Sequence, residues 1–412
     1  MQANNTIRIL YVENGIGYGG AIICLRHLVR NLDRSQFEPM VVTGRTGLDY
    51  EGIANEAHWR YLRDRRIDIP NMQKRAEAAR WVGRIPGLRT VLMQGLARID
   101  DLFNFLPFFT ELLWTAWRYK PALIHANNEP LCNRASILVG RILGIPVICH
   151  IRGDQKGSRM MAWMFRLPDY FIAVSRWVSE SIGRLGVPQE KRTYIYDGIE
   201  LEKLNLKADG PAWRAQHGIA PTDFAVGLVG LLIPWKGQHL FLEAMRELVK
   251  KIPEMKAVIV GGTPDECMAY EQDLLKLAHQ PGLAGHVVFT GHVGDMASAY
   301  NGLDVVISAS TEPEPLGTMI IECLTMARPL VAPNHGGAVE MVENGVTGLL
   351  FTPGNAHDLS VQIRKMHDDP EFRHKLGQAA RTKALETFSV EEHVRHIQDI
   401  YHTLLRRPGQ AS

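Results

Sequence analysis

The chain alternates compact apolar runs with longer amphipathic stretches, a pattern typical of a parallel sheet covered by helices. The strand-like runs of the first half are IRILYV, FEPMVVTG, ALIHANN, IPVICHI and DYFIAVS. The first run is followed by a glycine-rich turn and by AIICLRHLVRNL, whose apolar residues recur at helical spacing. This half therefore predicts a doubly wound α/β domain.

The same rhythm restarts in the second half, where FAVGLVGLL, KAVIVGG, HVVFTGHV, LDVVISAS and RPLVAP predict strands. Because residues 200–221 are polar and poorly periodic, we predict a domain over residues 1–200 and another over residues 221–388. Two Rossmann-like domains of this kind are expected to face a cleft. A last helical pattern, residues 390–407, comes too late for the second domain and is expected to complete the first.

The rhythm fails over residues 49–120, which we call the basic insertion because arginine and lysine outnumber acidic residues there. Such a charge run is either a solvated face or part of a functional surface. It contains an aromatic run made of Phe103, Phe105, Phe108, Phe109, Trp114 and Trp117. They either pack on the core or rest, with the arginines, on an anionic membrane. The apolar stretch is interrupted by polar residues and is too short to span a bilayer.

Composition narrows the class of protein. The 412 residues are 46% hydrophobic and 22% charged, which indicates a folded globular chain and excludes a disordered or disulfide-stapled one. A net charge of +2 provides no basic field for nucleic acid, so no nucleic-acid partner is expected. Five scattered cysteines and the absence of a signal-peptide pattern predict a cytoplasmic protein, which would lie on the inner membrane face if the basic insertion binds lipid.

The first candidate for chemistry is GIGYGG, residues 15–20, which fits G-x-G-x-x-G between a strand and a helix. Glycines there allow a phosphate to approach backbone amides. A dinucleotide site also needs a group at the end of the second strand, where this chain has Arg45. Arginine suits a 2′-phosphate, so an NADP-dependent reductase is one interpretation, and a glycine turn that serves packing alone is another.

The second candidate is EPEPLGT, residues 312–318, followed by a helical run that contains Glu322. A helix that opens on glycine and threonine presents free amides and a positive end to an anion such as a diphosphate. Glu322 can accept two hydrogen bonds from a ribose diol, and its burial among apolar residues would be costly without a partner. Lys236, at a strand-to-helix turn, is placed to act on phosphate as a point charge.

Together these residues resemble the family 4, group 1, retaining glycosyltransferases of the GT-B fold. Glu314, Gly317 and Glu322 reproduce the family's spacing of two glutamates with an intervening glycine. The resemblance implies a nucleotide diphosphate sugar as substrate and no cofactor. It assigns Glu314 to the donor sugar and reacting centre, Glu322 to the nucleotide ribose, and the amides near Gly317 and Thr318, with Lys236, to the diphosphate.

The resemblance extends to the first half of the chain. Gly19 and Gly20 match the family's glycine loop beside the donor phosphates and the acceptor. His150 stands where the family often has a histidine that lines the donor sugar, with Arg152 nearby. One departure is Leu231, where the family usually has an arginine that clamps the diphosphate together with the lysine; Arg152 or the basic insertion would have to compensate.

The expected function is transfer of a sugar from a nucleotide diphosphate sugar to a hydroxyl of a glycan or glycolipid, with retention, in polysaccharide or glycolipid assembly at the cell envelope. The chain has no D-x-D triplet, so we expect the reaction to be independent of metal. A sugar-nucleotide epimerase of the same fold and a non-catalytic sugar-nucleotide-binding protein are the alternatives, the second suggested by the missing arginine. Base, sugar and acceptor depend on pocket shape and are not defined by these motifs.

Overall fold

A computed structural model describes residues 6–14, 20–79, 87–155, 157, 159–200 and 204–406. The chain forms two compact units. Unit 1 comprises Met1–Val174, Val178–Ile195 and Val394–Ser412, and unit 2 comprises Ser175–Trp177 and Tyr196–His393. Each unit is built on a parallel sheet with helices, which confirms the prediction of two Rossmann-like α/β domains.

The sheet of unit 1 has seven parallel strands in the order β3-β2-β1-β4-β5-β6-β7. The strands are β1 (Ile7–Glu13), β2 (Phe37–Thr43), β3 (His58–Tyr61), β4 (Leu123–Asn127), β5 (Val147–Ile151), β6 (Tyr170–Ala173) and β7 (Arg192–Tyr194). Strands β4 and β5 are buried at every position, as expected for central strands that are covered on both faces.

The helices around this sheet are α1 (Gly20–Arg30), α2 (Leu48–Glu51), α3 (Ile69–Ala78), α4 (Leu88–Asp100), α5 (Leu106–Tyr119), α6 (Arg134–Leu143), α7 (Arg159–Met164), α8 (Arg176–Arg184) and α17 (Val390–Leu405). A π-helical turn, Asp101–Phe105, joins α4 to α5, and the junction residues on both sides have right-handed helical backbone. The three elements therefore form one continuous helix, which we call the insertion helix. Among the described residues, no helix is long and apolar enough to cross a membrane.

Unit 2 has a six-stranded parallel sheet in the order β10-β9-β8-β11-β12-β13. Its strands are β8 (Phe224–Val229), β9 (Met255–Val260), β10 (Val287–Gly291), β11 (Val305–Ile307), β12 (Leu330–Pro333) and β13 (Leu349–Phe351). Its helices are α9 (Gly210–Gln216), α10 (Gln238–Leu248), α11 (Met268–Ala278), α12 (Met296–Gly302), α13 (Thr318–Thr325), α14 (Ala338–Met341), α15 (Ala356–Asp368) and α16 (Pro370–Thr387).

Strand order reverses direction between β1 and β4 in unit 1 and between β8 and β11 in unit 2. At such a switch point the connections leave toward opposite faces of the sheet, which opens a crevice at the carboxyl ends of the two strands. Of the chemistry-bearing residues, Glu13 ends β1, and Lys236 and Glu314 lie in the segments that follow β8 and β11. Topology therefore positions both candidate half-sites.

The structure contains three strands that the apolar pattern did not indicate: β3, β7 and β13. All three lie at sheet edges. Strand β3 has the sequence HWRY and is exposed at both ends and partly exposed between them. It lies in the basic insertion, for which loop and helix were predicted. An edge strand is paired on one side and needs little apolar surface, so its sequence does not differ clearly from that of a loop.

The last helix, α17, is anchored to unit 1 over its carboxyl-terminal part. Tyr401 is fully buried, and its ring meets Phe37 edge-on at 5.7 Å between centroids. Gln398 accepts a hydrogen bond from the backbone amide of Asp33. At the start of the helix, the Ser389 hydroxyl oxygen accepts a hydrogen bond from the amide of Glu392, which is the arrangement of an N-cap.

A pair of glycine substitutions tests the packing of unit 2. A Cβ on Gly210, the first residue of α9, would lie 2.5 Å from the backbone of Asn301 in α12, and backbone cannot easily give way. We expect Gly210→Ala to destabilise unit 2 by about 1–3 kcal/mol. Gly95, inside α4, has open space around its Cβ position, so Gly95→Ala should stabilise by up to ~1 kcal/mol. Thermal unfolding of both variants shows whether the unfolding temperature falls for Gly210→Ala and rises for Gly95→Ala. Equal shifts of the two temperatures would contradict this packing.

Candidate active site

An ion pair lies at the switch point of unit 2. Lys236 is in the single 3₁₀ turn that follows β8, and Glu314 is in the loop after β11. The Lys236 Nζ donates a hydrogen bond of 2.6 Å to Glu314 Oε2, and the two side chains are 17% and 12% exposed. The Ser310 hydroxyl donates to the other carboxylate oxygen. We call Lys236, Glu314 and Ser310 the Lys236–Glu314 cluster.

The turn that carries Lys236 is fastened to the end of β11. Gly237 has φ +75°, and a Cβ there would lie 2.0 Å from the carbonyl oxygen of Ala309, so only glycine fits. The Thr311 amide donates to the Trp235 carbonyl at 2.8 Å. The Lys236 ammonium also lies 4.6 Å from the centre of the Trp235 ring. The lysine is therefore held in place before any ligand binds.

The loop that carries Glu314 is fixed by the segment after β12. The Gly337 amide donates to the Glu314 carbonyl at 2.7 Å. Gly336 has φ +60°, and a Cβ on it would lie 2.7 Å from the same carbonyl oxygen. The His335 Nε2 lies 3.0 Å from the Ser310 carbonyl, to which it must donate because a carbonyl oxygen only accepts. These contacts set the direction of the Glu314 backbone.

Glu322 lies on α13, which begins at Thr318 with Gly317 as N-cap and without a side-chain cap. Thr318 and Glu322 are four residues apart and share one face of the helix. The Tyr300 hydroxyl donates to Glu322 Oε2 at 2.8 Å. Burial raises the pKa of the Glu322 carboxyl, and the Tyr300 hydrogen bond acts in the opposite direction. Since the first amides of a helix have no intrahelical acceptor, the start of α13 is electropositive.

In unit 1 a buried carboxylate lies at the corresponding switch point. Glu13 ends β1 and is 2% exposed. The side-chain amides of Asn127 and Asn128 donate to its two oxygens, the second at 2.9 Å. The Arg152 Nε donates to Asn127 Oδ1 at 2.9 Å. We call these four residues the Glu13–Arg152 network, and within it each carboxylate oxygen of Glu13 accepts a hydrogen bond.

His150 is fully buried near the end of β5, in register with Asn127 of β4. Its Nδ1 lies 3.2 Å from His125 Nε2, and His125 Nδ1 lies 2.6 Å from the Tyr401 hydroxyl. Tyr401 in turn donates to the Tyr11 hydroxyl at 3.0 Å. His150 therefore belongs to a buried polar chain that reaches Tyr401 of α17.

The structure brings some of the predicted residues together. Lys236 and Glu314 touch, while Gly317, Thr318 and Glu322 share one short helix. Arg152 joins a network that includes Asn127, in register with His150.

The remaining predicted positions complete this description of the site. Gly20 is the first residue of α1 and has open space at its Cβ position, and Gly19 lies outside the described residues. Leu231 is partly exposed after β8, where an arginine was expected from the resemblance.

Sequence reasoning missed the Glu13–Arg152 network and the histidine chain. The sequence did contain a signal for the network, because two apolar strand patterns end in polar residues, in YVEN and HANN. In a parallel sheet such residues meet at one edge. Within the described residues, no group of three or more His, Cys, Asp or Glu side chains is arranged to hold a metal ion.

Two family models match the chain. Residues 209–383 match the family described as Glycosyl transferases group 1, and residues 18–203 match Glycosyltransferase Family 4. Among curated relatives, the capsular polysaccharide biosynthesis glycosyltransferase CapM of Staphylococcus aureus is 26% identical over 240 residues. That alignment covers 57% of this chain and 62% of CapM, so the chain matches less than two thirds of that relative.

Solved structures share the fold over nearly the whole chain. HepE from Anabaena in complex with UDP superposes with a TM-score of 0.79 at 23% identity, over 96% of this chain and 100% of HepE. HepE in complex with UDP-glucose gives a TM-score of 0.76 at 23% identity with the same coverage. The two family models, which together span most of the chain, and the two-domain parallel-sheet architecture show that the chain belongs to the family 4, group 1, glycosyltransferases of the GT-B fold.

Proposed function

We propose that the protein transfers a sugar from a nucleotide diphosphate sugar to a hydroxyl of a glycan or glycolipid acceptor, with retention of configuration, in polysaccharide or glycolipid assembly. The observation that carries the proposal is the Lys236–Glu314 ion pair at the switch point of unit 2, with Glu322 on the next helix. HepE, which shares the fold, has been solved with UDP-glucose. The pair offers one group for a leaving diphosphate and one for the sugar.

Departure of the diphosphate places negative charge near the cluster. Lys236 supplies a full positive charge, and the amides that open α13 at Gly317 and Thr318 supply partial charges. Both are fixed by backbone contacts, so little reorganisation is needed. When the donor binds, its phosphates would replace Glu314 as the partner of the Lys236 ammonium. The Glu314 carboxylate would then stabilise the positive charge that develops on the sugar.

The nucleotide ribose would bind to Glu322, whose carboxylate can accept from both hydroxyls of a diol. Tyr300 already donates to Oε2, which fixes the orientation of the side chain and leaves acceptor capacity on both oxygens. Unit 1 would contribute His150 and Arg152 to the donor sugar and phosphates, and Gly19 and Gly20 to the phosphates.

Retention follows if the departing phosphate removes the proton of the acceptor hydroxyl on the face from which it leaves. In this scheme no protein side chain forms a covalent bond to the sugar. In this proposal Lys236 would neutralise the phosphates in place of a bridging cation, so transfer is expected to persist when a chelator is added. Loss of activity in the chelator, restored by a divalent cation, would reject this part of the proposal.

The donor class is identified by a binding panel. The panel contains UDP, GDP and ADP, with their glucose, galactose and mannose derivatives where available. Each is added to the protein and the thermal unfolding temperature is measured. The nucleotide that raises this temperature identifies the base. Leu231, in place of an expected arginine, favours one other function: binding of a sugar nucleotide without turnover. That function predicts stabilisation by a nucleotide together with neither hydrolysis nor transfer on any acceptor.

The protein is also proposed to work at the inner face of an anionic membrane. The insertion helix exposes apolar residues over most of its length, among them Leu102 (57% exposed), Leu106 and Trp117 (63% exposed). Two guanidinium groups lie against the exposed Trp114 ring, that of Arg60 at 4.9 Å and that of Arg118 at 5.6 Å from its centre. Tryptophan beside arginine on an apolar stripe suits the headgroup region of an anionic bilayer.

The role of Glu314 is tested by an isosteric change. Glu314→Gln keeps the size of the side chain and an acceptor for Lys236 but removes the negative charge that would face the sugar. We expect kcat to fall by about 10²–10³ with little change in donor KM, since the lost interaction strengthens in the transition state. Initial rates with the donor that the panel identifies measure both constants. The matched control, Glu312→Gln, changes an exposed glutamate in the same loop and should leave both constants intact.

The role of Glu322 is tested by pH and substitution together. Its raised pKa means that the carboxyl takes up a proton at a higher pH than an ordinary glutamic acid, and the neutral form binds a diol less well. Nucleotide affinity of the native protein should therefore fall as pH is lowered from neutrality. Glu322→Gln should weaken affinity by at least about tenfold at neutral pH and remove the pH dependence. Calorimetric titration of the nucleotide measures it, and unchanged affinity would refute the ribose role.

Membrane contact is tested by flotation with vesicles of phosphatidylcholine, with and without phosphatidylglycerol. The protein should float with the anionic vesicles, less so at high salt, and Leu102→Ser with Trp117→Ser should reduce the bound fraction by about fivefold or more. Leu385→Ser, an exposed leucine on α16, is the control that should not matter. If the native protein fails to float and instead forms dimers that the double variant abolishes, the face is a protein interface.

A further inference from the structure

The Glu314 carboxylate is held by two groups of different charge. Its Oε2 accepts a hydrogen bond from the Lys236 ammonium at 2.6 Å, and its Oε1 accepts one from the Ser310 hydroxyl. The Lys236 side chain is 17% exposed, so an anion can reach it, whereas Ser310 is 2% exposed. A ligand that competes with this carboxylate therefore competes for Lys236, and the contact with Ser310 persists.

The Ser310 backbone is fastened on both sides. The preceding carbonyl, that of Ala309, packs so closely on Gly237 that a Cβ on this glycine would lie 2.0 Å from the oxygen. The Ser310 carbonyl lies 3.0 Å from His335 Nε2. The amide of the residue after Ser310 donates to the 3₁₀ turn that follows β8. Because three successive residues are bonded to or packed on other elements, Ser310 is a fixed point from which its hydroxyl donates.

A second hydrogen bond changes what the carboxylate can do once Lys236 has another partner. A glutamate side chain with a single contact keeps several rotamers, and ordering it during the reaction would raise the barrier. With Ser310 on Oε1, the plane of the carboxylate is set before the donor binds. Oε2 then keeps its direction after the ammonium has formed its contact with a phosphate. A charge whose position is already fixed needs no reorganisation in the transition state.

We infer that Ser310 is the positioning residue for Glu314. It holds Oε1 while the diphosphate replaces Glu314 as the partner of Lys236, so that Oε2 faces the positive charge that develops on the sugar. This inference rests on the proposed function. Ser310 is buried and its hydroxyl is engaged by the carboxylate, so it acts through Glu314 and does not touch the substrate. Its effect belongs to the transition state, because the sugar becomes positively charged only there.

The first test compares three side chains at position 310 in the full chain, with the donor that the nucleotide panel identifies. Ser310→Ala removes the hydroxyl. We expect kcat to fall by about tenfold or more with little change in donor KM, since a hydrogen bond to a charged group is lost. Ser310→Cys keeps the shape and a weak donor, so its kcat should lie between the two. A kcat of Ser310→Ala equal to that of the native protein overturns the inference.

Ser308 provides the matched control. It is 5% exposed, lies in the same segment after β11, and forms no hydrogen bond with Glu314 in the described part of the chain. Ser308→Ala should leave kcat and donor KM unchanged, and thermal unfolding shows whether both alanine variants are folded. Equal losses of kcat in the two folded variants would contradict a specific role for Ser310.

A positioning role and a merely structural role differ in the background of Glu314→Gln, in which the charge at position 314 is absent. If Ser310 acts through that charge, adding Ser310→Ala to Glu314→Gln should lower kcat by less than about twofold further. A residue that only supports the loop would lower kcat by the same factor in both backgrounds. A tenfold loss in both would therefore reject the positioning role.

A crystal structure of the full chain with the identified nucleotide diphosphate gives a readout without turnover. Ser310 Oγ should stay within hydrogen-bond distance of Glu314 Oε1, while Lys236 Nζ contacts a phosphate and has left Oε2. A Glu314 carboxylate that has kept Lys236 and lost Ser310 would overturn the inference.

Failure of the inference and failure of the proposed function give different results. If Glu314→Gln lowers kcat and Ser310→Ala does not, the role of Ser310 is wrong and the proposed function stands. If Glu314→Gln retains the native kcat, or if no nucleotide binds, the proposed function fails and the inference fails with it.

Discussion

The Lys236–Glu314 ion pair is the interaction on which the site of unit 2 depends. Removing two charges from water costs several kcal/mol per ion, and mutual attraction roughly offsets this, so the pair adds little to stability. The backbone nevertheless packs so tightly against three glycines that the Lys236 turn and the Glu314 loop are held together. These glycines are Gly237, Gly336 and Gly337. The carboxyl ends of β8 and β11 thus hold two opposite charges in contact. Their value is a preorganised electrostatic site rather than added stability.

The same constraint operates in unit 1 with other residues. Parallel strands deliver polar side chains to one edge, and each must then find a partner or remain solvated. Glu13 accepts hydrogen bonds from two asparagine side chains, and His150 lies within hydrogen-bond distance of His125. Since these groups hold one another in fixed orientations, a ligand entering either switch point meets donors and acceptors whose positions are already set.

The parts of the fold that could be predicted from the sequence are those set locally. A central strand such as β8 is buried at every position and is apolar throughout, whereas the edge strand β3 is not. In the site, Glu314 and Glu322 were recognisable because their spacing lies within one loop and helix. Lys236 was recognisable too, from its place at a strand-to-helix turn, but its direct contact with Glu314, 78 positions away, was not. Tyr300 was missed as the partner of Glu322, which it precedes by 22 positions, because strand order decides such pairs.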